Sequence, residues 1–445
     1  MYIYIYMTVI GEGTYGCVHK PSLKCKNRPD MSYEGKLSKI MTKEHAIIEM
    51  DEYKTIDTVD KDGKFYLGKP EECEPIIDTE TITEVDACQW IKSDDLENMK
   101  LLIMQDGGLD LSGYLKTIQT KTAEDIERFL IEAHRLVLGI YVLGMKGVIH
   151  HDLKPQNIVY NEAKNRINFI DFGFMTRYKF LKSESIDSIN THAIEHWSFP
   201  LEMMFLNNNE YIKYATMTPE ERQILFPELW ENIRKHVKLL ISYTNYKMKT
   251  KMARETYETL QRDYYDMFVN DLTPEYYNTF LEKSLKTIDV YGLGMTFLYV
   301  LGSFKHLIGD AMFSRLHRLS MLAISASVKS RCDTAYFLKS YEYILSDSGL
   351  LTKYGLRIHD HTIIESTNAN QLCSIGKERN PYTNQCVNIC KDGYIRSKNF
   401  KCTRKHTVCP ENKVINPTTN RCVSKCKTGY VRNKTFRCTA KFTMI

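Results

Sequence analysis

The stretch IHHDLKPQN at residues 149–157 constrains this chain more than any other part of its sequence. It follows residues 129–143, where apolar side chains recur at spacings of three and four and predict one face of a helix. Nineteen residues after Asp152, the triplet Asp171-Phe-Gly follows an apolar run that predicts a buried strand. Either motif alone would be a surface accident, whereas both in this order predict one site at the ends of a helix and a strand.

The residue types at this site suit the transfer of a phosphoryl group. Such a transfer needs a carboxylate to accept the hydroxyl proton, oxygen ligands for Mg²⁺, and cations against the developing charge. Asp152 supplies the carboxylate, and Asn157 and Asp171 supply the metal ligands. Lys154 is close enough in sequence to reach the transferred phosphate. These residues predict Mg²⁺ as a cofactor.

A glycine-rich turn, IGEGTYGCV, spans residues 10–18. Gly11, Gly13 and Gly16 permit a tight turn and a close approach of backbone amides to phosphate oxygens. Dinucleotide-binding folds use the same spacing, but they need a helix directly after the loop. Here a Lys-rich turn containing Pro21 follows, which favours a hairpin of strands.

Charge and cysteine are distributed unevenly along the 445 residues. Residues 373–445 hold 16 Lys/Arg and 3 Asp/Glu and carry a net charge of +13. The rest of the chain holds 44 Lys/Arg and 52 Asp/Glu and carries a net charge of −8. Opposite signs indicate two tasks, or a tail that docks on its own body. Five cysteines lie outside the tail: Cys17, Cys25, Cys73, Cys88 and Cys332. They show no ligand spacing and are expected to be buried free thiols.

The N-terminus alternates Tyr and Ile over residues 1–6, which predicts a strand rather than a signal peptide. No apolar run reaches the length that would span a bilayer. We therefore expect a soluble intracellular protein without a membrane partner.

The tail contains an internal duplication with an offset of 36 residues. The repeated cysteines are Cys373, Cys386, Cys390 and Cys402, followed by Cys409, Cys422, Cys426 and Cys438. Each unit is polar and basic and too small to form a hydrophobic core, so it needs disulfides or a bound metal to hold its fold. Four thiolates per unit could hold one Zn²⁺, or they could form two disulfides in one of three connectivities. Disulfides are favoured, because the spacing differs from that of the usual zinc knuckle.

With the glycine loop, HHDLKPQN and Asp-Phe-Gly in this order, residues 8–345 resemble a eukaryotic-type protein kinase. The resemblance implies an α+β, two-lobed fold. A small β-rich lobe would cover about residues 1–107, and a large helical lobe about residues 108–350, with ATP between them. Asp152-Leu-Lys154 is similar to the serine/threonine class, which implies transfer of the γ-phosphate of ATP to Ser or Thr hydroxyls of proteins. The alternative is a pseudokinase scaffold that acts through the tail.

The resemblance also assigns further residues. KLSKIM is similar to the third kinase strand and places the ATP-phosphate lysine at Lys39, with Lys36 as the alternative. Its partner is Glu49, with Glu52 as the alternative. The implied catalytic residues are Asp152, Lys154 and Lys39. The implied ATP- and Mg²⁺-binding residues are Gly11, Glu12, Gly13, Thr14, Tyr15, Gly16, Val18, Lys39, Glu49, Met104, Gln105, Gly107, Asn157 and Asp171, of which Asn157 and Asp171 hold the metal.

Three more expectations concern the large lobe. Asp289 should anchor the backbone of the catalytic loop, and Arg331 should pair with Glu202. The 86 residues between Glu202 and Asp289 imply a helical insertion at about residues 205–285. His151 stands where the family has an arginine that pairs with a phosphate on the activation loop. An imidazole is a weak substitute, so we expect little dependence on phosphorylation there. The candidate phosphorylation sites are Ser183, Ser185, Ser188 and Thr191.

The tail unit GKERNPYTNQCVNIC resembles the 2-cysteine adaptor domain of large nucleocytoplasmic DNA viruses, whose Asn-Pro-x-Thr-x-x-Cys signature occurs at residues 380–386 and 416–422. The resemblance implies two small cysteine-rich repeats, at 373–408 and 409–445, after a linker at 351–372. It suggests a viral serine/threonine kinase, in the host cytoplasm or virus factory or packaged in the virion. The tail would bind other proteins; nucleic acid is the weaker alternative, because aromatic side chains are few.

Overall fold

The first five strands form one antiparallel sheet in the computed structural model. They are β1 (Thr8–Gly13), β2 (Gly16–Lys20), β3 (Lys36–Thr42), β4 (Glu71–Cys73) and β5 (Met99–Gln105). The strand order is β1-β2-β3-β5-β4. Two helices join this lobe, α1 (Lys43–Val59) and α2 (Thr79–Asp86). The α1 helix begins where the side chain of Thr42 accepts the backbone N–H of His45, which satisfies one of the open donors of its first turn.

The structure describes residues 8–13, 16–187, 197–244 and 250–366, and shorter stretches between residues 377 and 440. The strand expected at residues 1–6 lies outside this part of the chain. The chain divides into two compact units, Met1–Leu351 and Thr352–Ile445.

The rest of the first unit is mainly helical. Its helices are α3 (Leu111–Lys116), α4 (Ala123–Met145), α5 (Tyr178–Asp187), α6 (Asn208–Ala215), α7 (Pro219–Thr244), α8 (Thr250–Tyr265), α9 (Tyr277–Phe304), α10 (Asp310–Ala323), α11 (Thr334–Asp347) and α12 (Leu350–Lys353), which ends just past the unit boundary. Its short strands are β6 (Leu109–Asp110), β7 (Val148–Ile149), β8 (Ile158–Asn161), β9 (Arg166–Phe169) and β10 (Thr176–Arg177). The helix expected at residues 129–143 is confirmed as α4, with the predicted apolar face buried. A β-sheet lobe followed by a helical region is compatible with a kinase-like fold.

The α9 helix forms the centre of the helical region. Together with the turn before it, Pro274–Phe304, it is long and apolar enough to cross a bilayer, with a mean hydropathy of 1.2. The expectation that no such segment exists was therefore wrong. However, 89% of the window is buried inside the structure, as in the core helix of a folded domain.

The helical insertion packs into the core of the first unit. The start of α7 carries a capping box: the backbone N–H of Glu221 donates to Thr218 Oγ1 at 3.2 Å, and the N–H of Thr218 donates to Glu221 Oε2 at 2.7 Å. The buried side chains of α7 and α8, such as Trp230 and Leu260, belong to the same hydrophobic cluster as Leu298 of α9. These helices are therefore part of the lobe's core.

The second unit consists of small antiparallel hairpins. The segment treated as a linker contains one, formed by β11 (Leu356–His359) and β12 (Thr362–Glu365). Four more follow, built from β13 (Lys377–Arg379), β14 (Cys386–Asn388), β15 (Tyr394–Arg396), β16 (Cys402–Arg404), β17 (Lys413–Ile415), β18 (Cys422–Ser424), β19 (Tyr430–Arg432) and β20 (Cys438–Ala440). Disulfides join Cys390 to Cys402 and Cys426 to Cys438, each across a separation of 12 residues. These bonds agree with the preference for disulfides over Zn²⁺.

Four of the cysteines expected to be free thiols form disulfides in the first lobe. Cys17 of β2 bonds Cys88, and Cys25 bonds Cys73 at the end of β4, with Cα separations of 6.2 and 5.7 Å. The expectation was wrong because the pairs are 71 and 48 residues apart, and only the sheet order brings them together. Among the described residues Cys332 is a free cysteine, and burial raises the pKa of its thiol to about 12.

Candidate active site

The loop at residues 150–157 lies between β7 and β8 and is anchored by α9. The two carboxylate oxygens of Asp289 accept the backbone N–H groups of His150 and His151, each at 2.8 Å. Burial raises the pKa of this carboxyl, although the two N–H bonds favour its charged form. The anchoring role expected of Asp289 is confirmed. It holds His151 at a φ of 73°, in the left-handed region that a side chain disfavours.

Two side chains of this loop, Lys154 and Asn157, bind Asp152, which is almost completely buried. Lys154 Nζ donates to Asp152 Oδ2 at 2.6 Å. Asn157 Nδ2 donates to the same oxygen at 2.9 Å and to the backbone carbonyl of Asp152 at 2.8 Å. Because the Asn157 NH₂ group is committed to Asp152, its Oδ1 is the amide atom available to a cation.

Asp171 follows β9 and has a φ of 64°, a second left-handed residue at the site. The next residue, Phe172, is buried and lies edge-on to Tyr53 of α1, with ring centroids 5.3 Å apart. Its ring also lies 5.6 Å from that of His150. With Phe172 fixed against α1, the Asp171 side chain stays exposed, where a cation can reach its carboxylate.

The β3 strand and α1 bring a lysine to the same site. Lys39 Nζ donates to Glu49 Oε2, which is the pairing that the sequence analysis expected. A Cβ at Gly16 would stand 2.8 Å from Lys39 Cε, so a side chain at this position would displace the end of Lys39. The alternative lysine, Lys36, donates instead to the exposed Glu71 at 2.9 Å.

Glu52, the alternative partner, lies next to the Asp-Phe-Gly turn. A Cβ at Gly173 would stand 3.2 Å from Glu52 Oε1. Partial burial, with the negative charges of Glu49 and Asp171, raises the pKa of Glu52 to about 7, and Lys39 offsets part of this effect. The four charged side chains therefore form one electrostatic cluster.

The glycine loop is a hairpin, as its sequence predicted. Gly11 pairs with Val18, Glu12 with Cys17 and Gly13 with Gly16. Val18 also pairs with Lys39 across β2 and β3. Two residues assigned to ATP binding, Thr14 and Tyr15, lie outside the described part of the chain.

The connection between the lobes runs through the end of β5. Met104 packs against the small buried cluster of Met41, Ala46 and Leu102. Gln105 is the last residue of β5, and Gly107 follows two residues later. A Cβ at Gly107 would stand 2.5 Å from a methyl group of Val159, so the close approach of this connection to β8 requires glycine.

The segment at residues 198–202 closes the site on the large-lobe side. Arg331 donates to both oxygens of Glu202 at 2.6 Å, which confirms the expected ion pair. Ser198 Oγ lies 3.5 Å from Asp152 Oδ1. Sequence reasoning missed Ser198, because only the folded path of this segment brings Ser198 back to the catalytic loop.

His151 lies in apolar surroundings. Its buried ring packs against Phe199 and Phe174, at centroid distances of 5.2 and 6.2 Å. Of the candidate phosphorylation sites, Ser185 is buried and donates to the Leu181 carbonyl at 2.8 Å, and Ser183 is exposed on α5. Ser188 and Thr191 lie outside the described residues.

A β-sheet lobe, a helical lobe and this cluster of carboxylates, amide and lysines are the arrangement of a kinase-like enzyme. No protein-family model matches the chain. It is 28% identical over 130 residues to serine/threonine-protein kinase RIM15 of Saccharomyces cerevisiae, a match that covers 28% of this chain and 7% of that protein. It is 34% identical over 90 residues to human serine/threonine-protein kinase ULK1, covering 18% of this chain and 8% of that protein.

A third relative is serine/threonine-protein kinase ppk34 of Schizosaccharomyces pombe, which is 29% identical over 131 residues. This match covers 28% of the chain and 35% of that protein. The chain thus matches only a minor part of each relative's length. The matches establish weak homology to eukaryotic serine/threonine protein kinases, and none of them concerns the cysteine-rich tail.

Proposed function

We propose that this chain is an ATP- and Mg²⁺-dependent protein kinase that phosphorylates Ser and Thr hydroxyls of proteins. The observation that carries the proposal is the buried carboxylate of Asp152, held by both Lys154 and Asn157. A carboxylate fixed in this way, beside the cluster of Lys39, Glu49 and Asp171, suits proton abstraction next to a polyanion. The weak homology to serine/threonine kinases supports the same reaction.

The residues present fit both ATP and Mg²⁺. The Asn157 amide oxygen and the exposed Asp171 carboxylate are the hard oxygen donors that Mg²⁺ prefers. Lys39, beneath the side-chain-free Gly16, would contact the phosphates, and Glu49 keeps its ammonium in place. Gln105 and Gly107 would line the adenine. When bound, Mg²⁺-ATP supplies the phosphoryl group and neutralises part of its charge.

The chain's own residues would act on the substrate hydroxyl. Asp152 accepts the hydroxyl proton as the oxygen attacks, and Asn157 fixes the orientation of that carboxylate. Lys154, bonded to Asp152, would offset the negative charge that develops on the transferred group. Asp289 keeps the loop in this geometry through its backbone bonds to His150 and His151.

The test compares wild type with Asp152→Asn, which keeps the shape of the side chain and removes the base. With Mg²⁺-ATP and a generic basic protein, we expect phosphate incorporation to fall by about 100- to 10,000-fold. Asp347→Asn is the matched control, because Asp347 is exposed and pairs with Arg315 on the surface. Equal labelling by wild type and Asp152→Asn would contradict the proposal and favour a scaffold role. Phosphoserine and phosphothreonine, without phosphotyrosine, should appear in the labelled protein.

For the tail, we propose docking of other proteins. Tyr394 and Tyr430 occupy equivalent places in the two repeats and are 44% and 51% exposed. Arg396 and Arg432 each bind the carbonyl eight residues earlier, Asn388 and Ser424. Two similar presentations of an aromatic side chain beside basic residues suit protein docking more than base stacking.

We also propose that the tail is a pair of viral 2-cysteine adaptor domains. The kinase would work in the host cytoplasm, the virus factory or the virion.

A further inference from the structure

A cluster of Cys17, His19 and Cys88 lies in the core of the small lobe, next to the glycine loop. All three side chains are at most 1% exposed. Their ligand atoms lie within 4.8 Å of one another, and no other group of three Cys, His, Asp or Glu in the described ranges meets this condition. The two sulfurs are joined as a disulfide.

The distances in this cluster are close to those of a tetrahedral metal site. His19 Nε2 lies 4.0 Å from Cys17 Sγ and 3.7 Å from Cys88 Sγ. With Zn–S of about 2.3 Å and Zn–N of about 2.0 to 2.1 Å, tetrahedral angles require S···N separations of about 3.6 Å. The imidazole is thus already placed, and only the sulfurs must separate, to about 3.8 Å.

A fourth donor lies beside the cluster, in the glycine loop. Glu12 Oε1 is 3.6 Å from Cys17 Sγ, but it is not within 4.8 Å of all three ligand atoms, so the carboxylate must turn towards His19 and Cys88 to complete a tetrahedron. The same oxygen accepts the backbone N–H of Gln89, the neighbour of Cys88. The carboxylate therefore lies at the junction between the glycine loop and the Cys88 segment.

Ligation requires His19 to change tautomer, because the Glu84 carbonyl can only accept and therefore holds the ring proton on Nε2 in the disulfide form. Nε2, the nitrogen near the sulfurs, now faces the carbonyl of Glu84 at 3.1 Å. Nδ1 is buried and has no hydrogen-bond partner among the described residues. With the ring proton on Nδ1, the lone pair of Nε2 is available to a metal, which would replace the contact with Glu84.

We propose that the dithiol form of this cluster binds one Zn²⁺ through Cys17, His19 and Cys88, with Glu12 as the fourth ligand. Two soft thiolates with an imidazole and a carboxylate favour zinc over Mg²⁺ or Ca²⁺. Two molecules of a low-molecular-weight thiol supply the two electrons and two protons that convert the disulfide to two thiols, and they become one disulfide. Zn²⁺ then displaces both thiol protons to solvent.

The exchange preserves a link that reduction would otherwise break. As a disulfide or as a zinc site, the cluster ties β2 to the segment that follows α2. Within the described residues, Cys25 and Cys73 belong to no such group with a histidine; Cys25 Sγ contacts Met31 Sδ at 3.9 Å. Reduction there simply removes the link, which makes this pair a matched control.

The experiment uses the full chain, reduced with a phosphine, loaded with ZnCl₂ without oxygen and desalted. Bound zinc per chain is measured by native mass spectrometry and elemental analysis. We expect Cys17→Ser/Cys88→Ser to hold one zinc fewer than wild type, and Cys25→Ser/Cys73→Ser to hold the same number. Any zinc in the tail is common to all three proteins and cancels. Equal zinc in all three would overturn the proposal.

A second variant decides the matter if loss of both cysteines unfolds the lobe. His19→Gln keeps both sulfurs, and the circular dichroism of its oxidised form reports whether the fold survives. We expect its zinc affinity at this site to fall more than about 100-fold, the upper end for loss of a residue that only hydrogen-bonds a metal ligand. With Co²⁺ as probe, the thiolate-to-metal absorption assigned to this site should weaken accordingly. Unchanged zinc affinity in His19→Gln would overturn the assignment of His19 as a ligand. Unchanged zinc affinity in Glu12→Ala would overturn the assignment of Glu12 as the fourth ligand.

Discussion

At the scale of single residues, Glu202 and Arg331 form an ion pair whose two side chains are fully buried. Two arginine nitrogens each bind one carboxylate oxygen at 2.6 Å, and Ser284 Oγ donates to the same carboxylate at 2.7 Å. A charge that loses its partner in such a place has no water to replace it. The pair therefore fixes the segment carrying Ser198 against α9 and the loop that holds Arg331.

Arg331→Met should lower the free energy of unfolding by about 3 to 5 kcal/mol, because it leaves Glu202 buried without its cation. Urea denaturation followed by tryptophan fluorescence measures this loss. The control is Arg315→Met, which removes a partner of Asp347 on the surface and should cost less than about 1 kcal/mol. Similar losses for both variants would show that burial of the pair is not what matters.

Glu52 gives the site a pH-dependent stability. Its pKa is raised from 4.5 in the unfolded state to about 7 in the folded state. Between these pH values the folded state keeps a proton on Glu52 that the unfolded state has released. The penalty of ionising Glu52 is absent below pH 4.5, grows between pH 4.5 and about 7, and is complete above. Glu52→Gln removes it, so the melting temperature of the variant relative to wild type should rise across that interval. A difference that stays constant from pH 4.5 to 8 would contradict the role of this carboxyl.

At the scale of elements, the catalytic loop depends on a glycine in α9. A Cβ at Gly292 would stand 2.5 Å from the backbone oxygen of Leu153 and 2.8 Å from its Cβ. Backbone atoms cannot move aside cheaply, so α9 and the loop approach each other only because this side chain is absent.

Gly292→Ala should displace Leu153 and with it Asp152, lowering kcat by about 10- to 100-fold. Overpacking should also cost about 1 to 3 kcal/mol of stability. Gly144→Ala in α4 is the matched control, since a Cβ at Gly144 would lie 3.8 Å from its nearest neighbours, the side-chain atoms of Thr334. It should leave kcat unchanged and raise stability by up to about 1 kcal/mol, the usual gain in a helix. Equal kinetics in the two variants would contradict the steric argument.

The activation segment gives a second prediction at this scale. His151 packs against Phe199 and Phe174, and Ser185 is buried in α5. An imidazole is a weak substitute for the arginine that would bind a phosphate on this segment. A variant with alanine at Ser183, Ser185, Ser188 and Thr191 should keep most of the activity. Loss beyond about tenfold in kcat/KM, about 1.4 kcal/mol of transition-state stabilisation, would contradict this.

Elements with local signals could be predicted from sequence, and long-range pairings could not. The period of α4 and the cap at Thr218 depend on neighbours along the chain, so the sequence contains all of their information. The bonds from Asp289 to His150 were expected only through the family resemblance. The disulfide between Cys17 and Cys88 spans 71 residues and depends on the order of the strands, for which the sequence offers no local sign. The same limit hid the return of Ser198 to Asp152.

At the scale of the whole molecule, two compact units carry opposite charge. Residues 373–445 carry +13 and the rest −8. The first unit contains the core clusters and the candidate active site, whereas the second consists of hairpins joined by disulfides. A chain that ends after Lys353 should therefore keep its fold and its transfer of phosphate, and lose the contribution of the tail to binding.

This contribution should be electrostatic and depend on salt. Compared with the chain cut after Lys353, the full chain should bind an acidic protein several-fold more tightly in about 0.1 M salt, where charges interact over about 10 Å. The advantage should vanish in about 1 M salt, where that range falls to about 3 Å, as fluorescence anisotropy with a labelled acidic partner can measure. A basic partner of equal size, the control, should gain nothing. An advantage that persists at high salt would instead assign docking to apolar contacts of Tyr394 and Tyr430, because these are not screened.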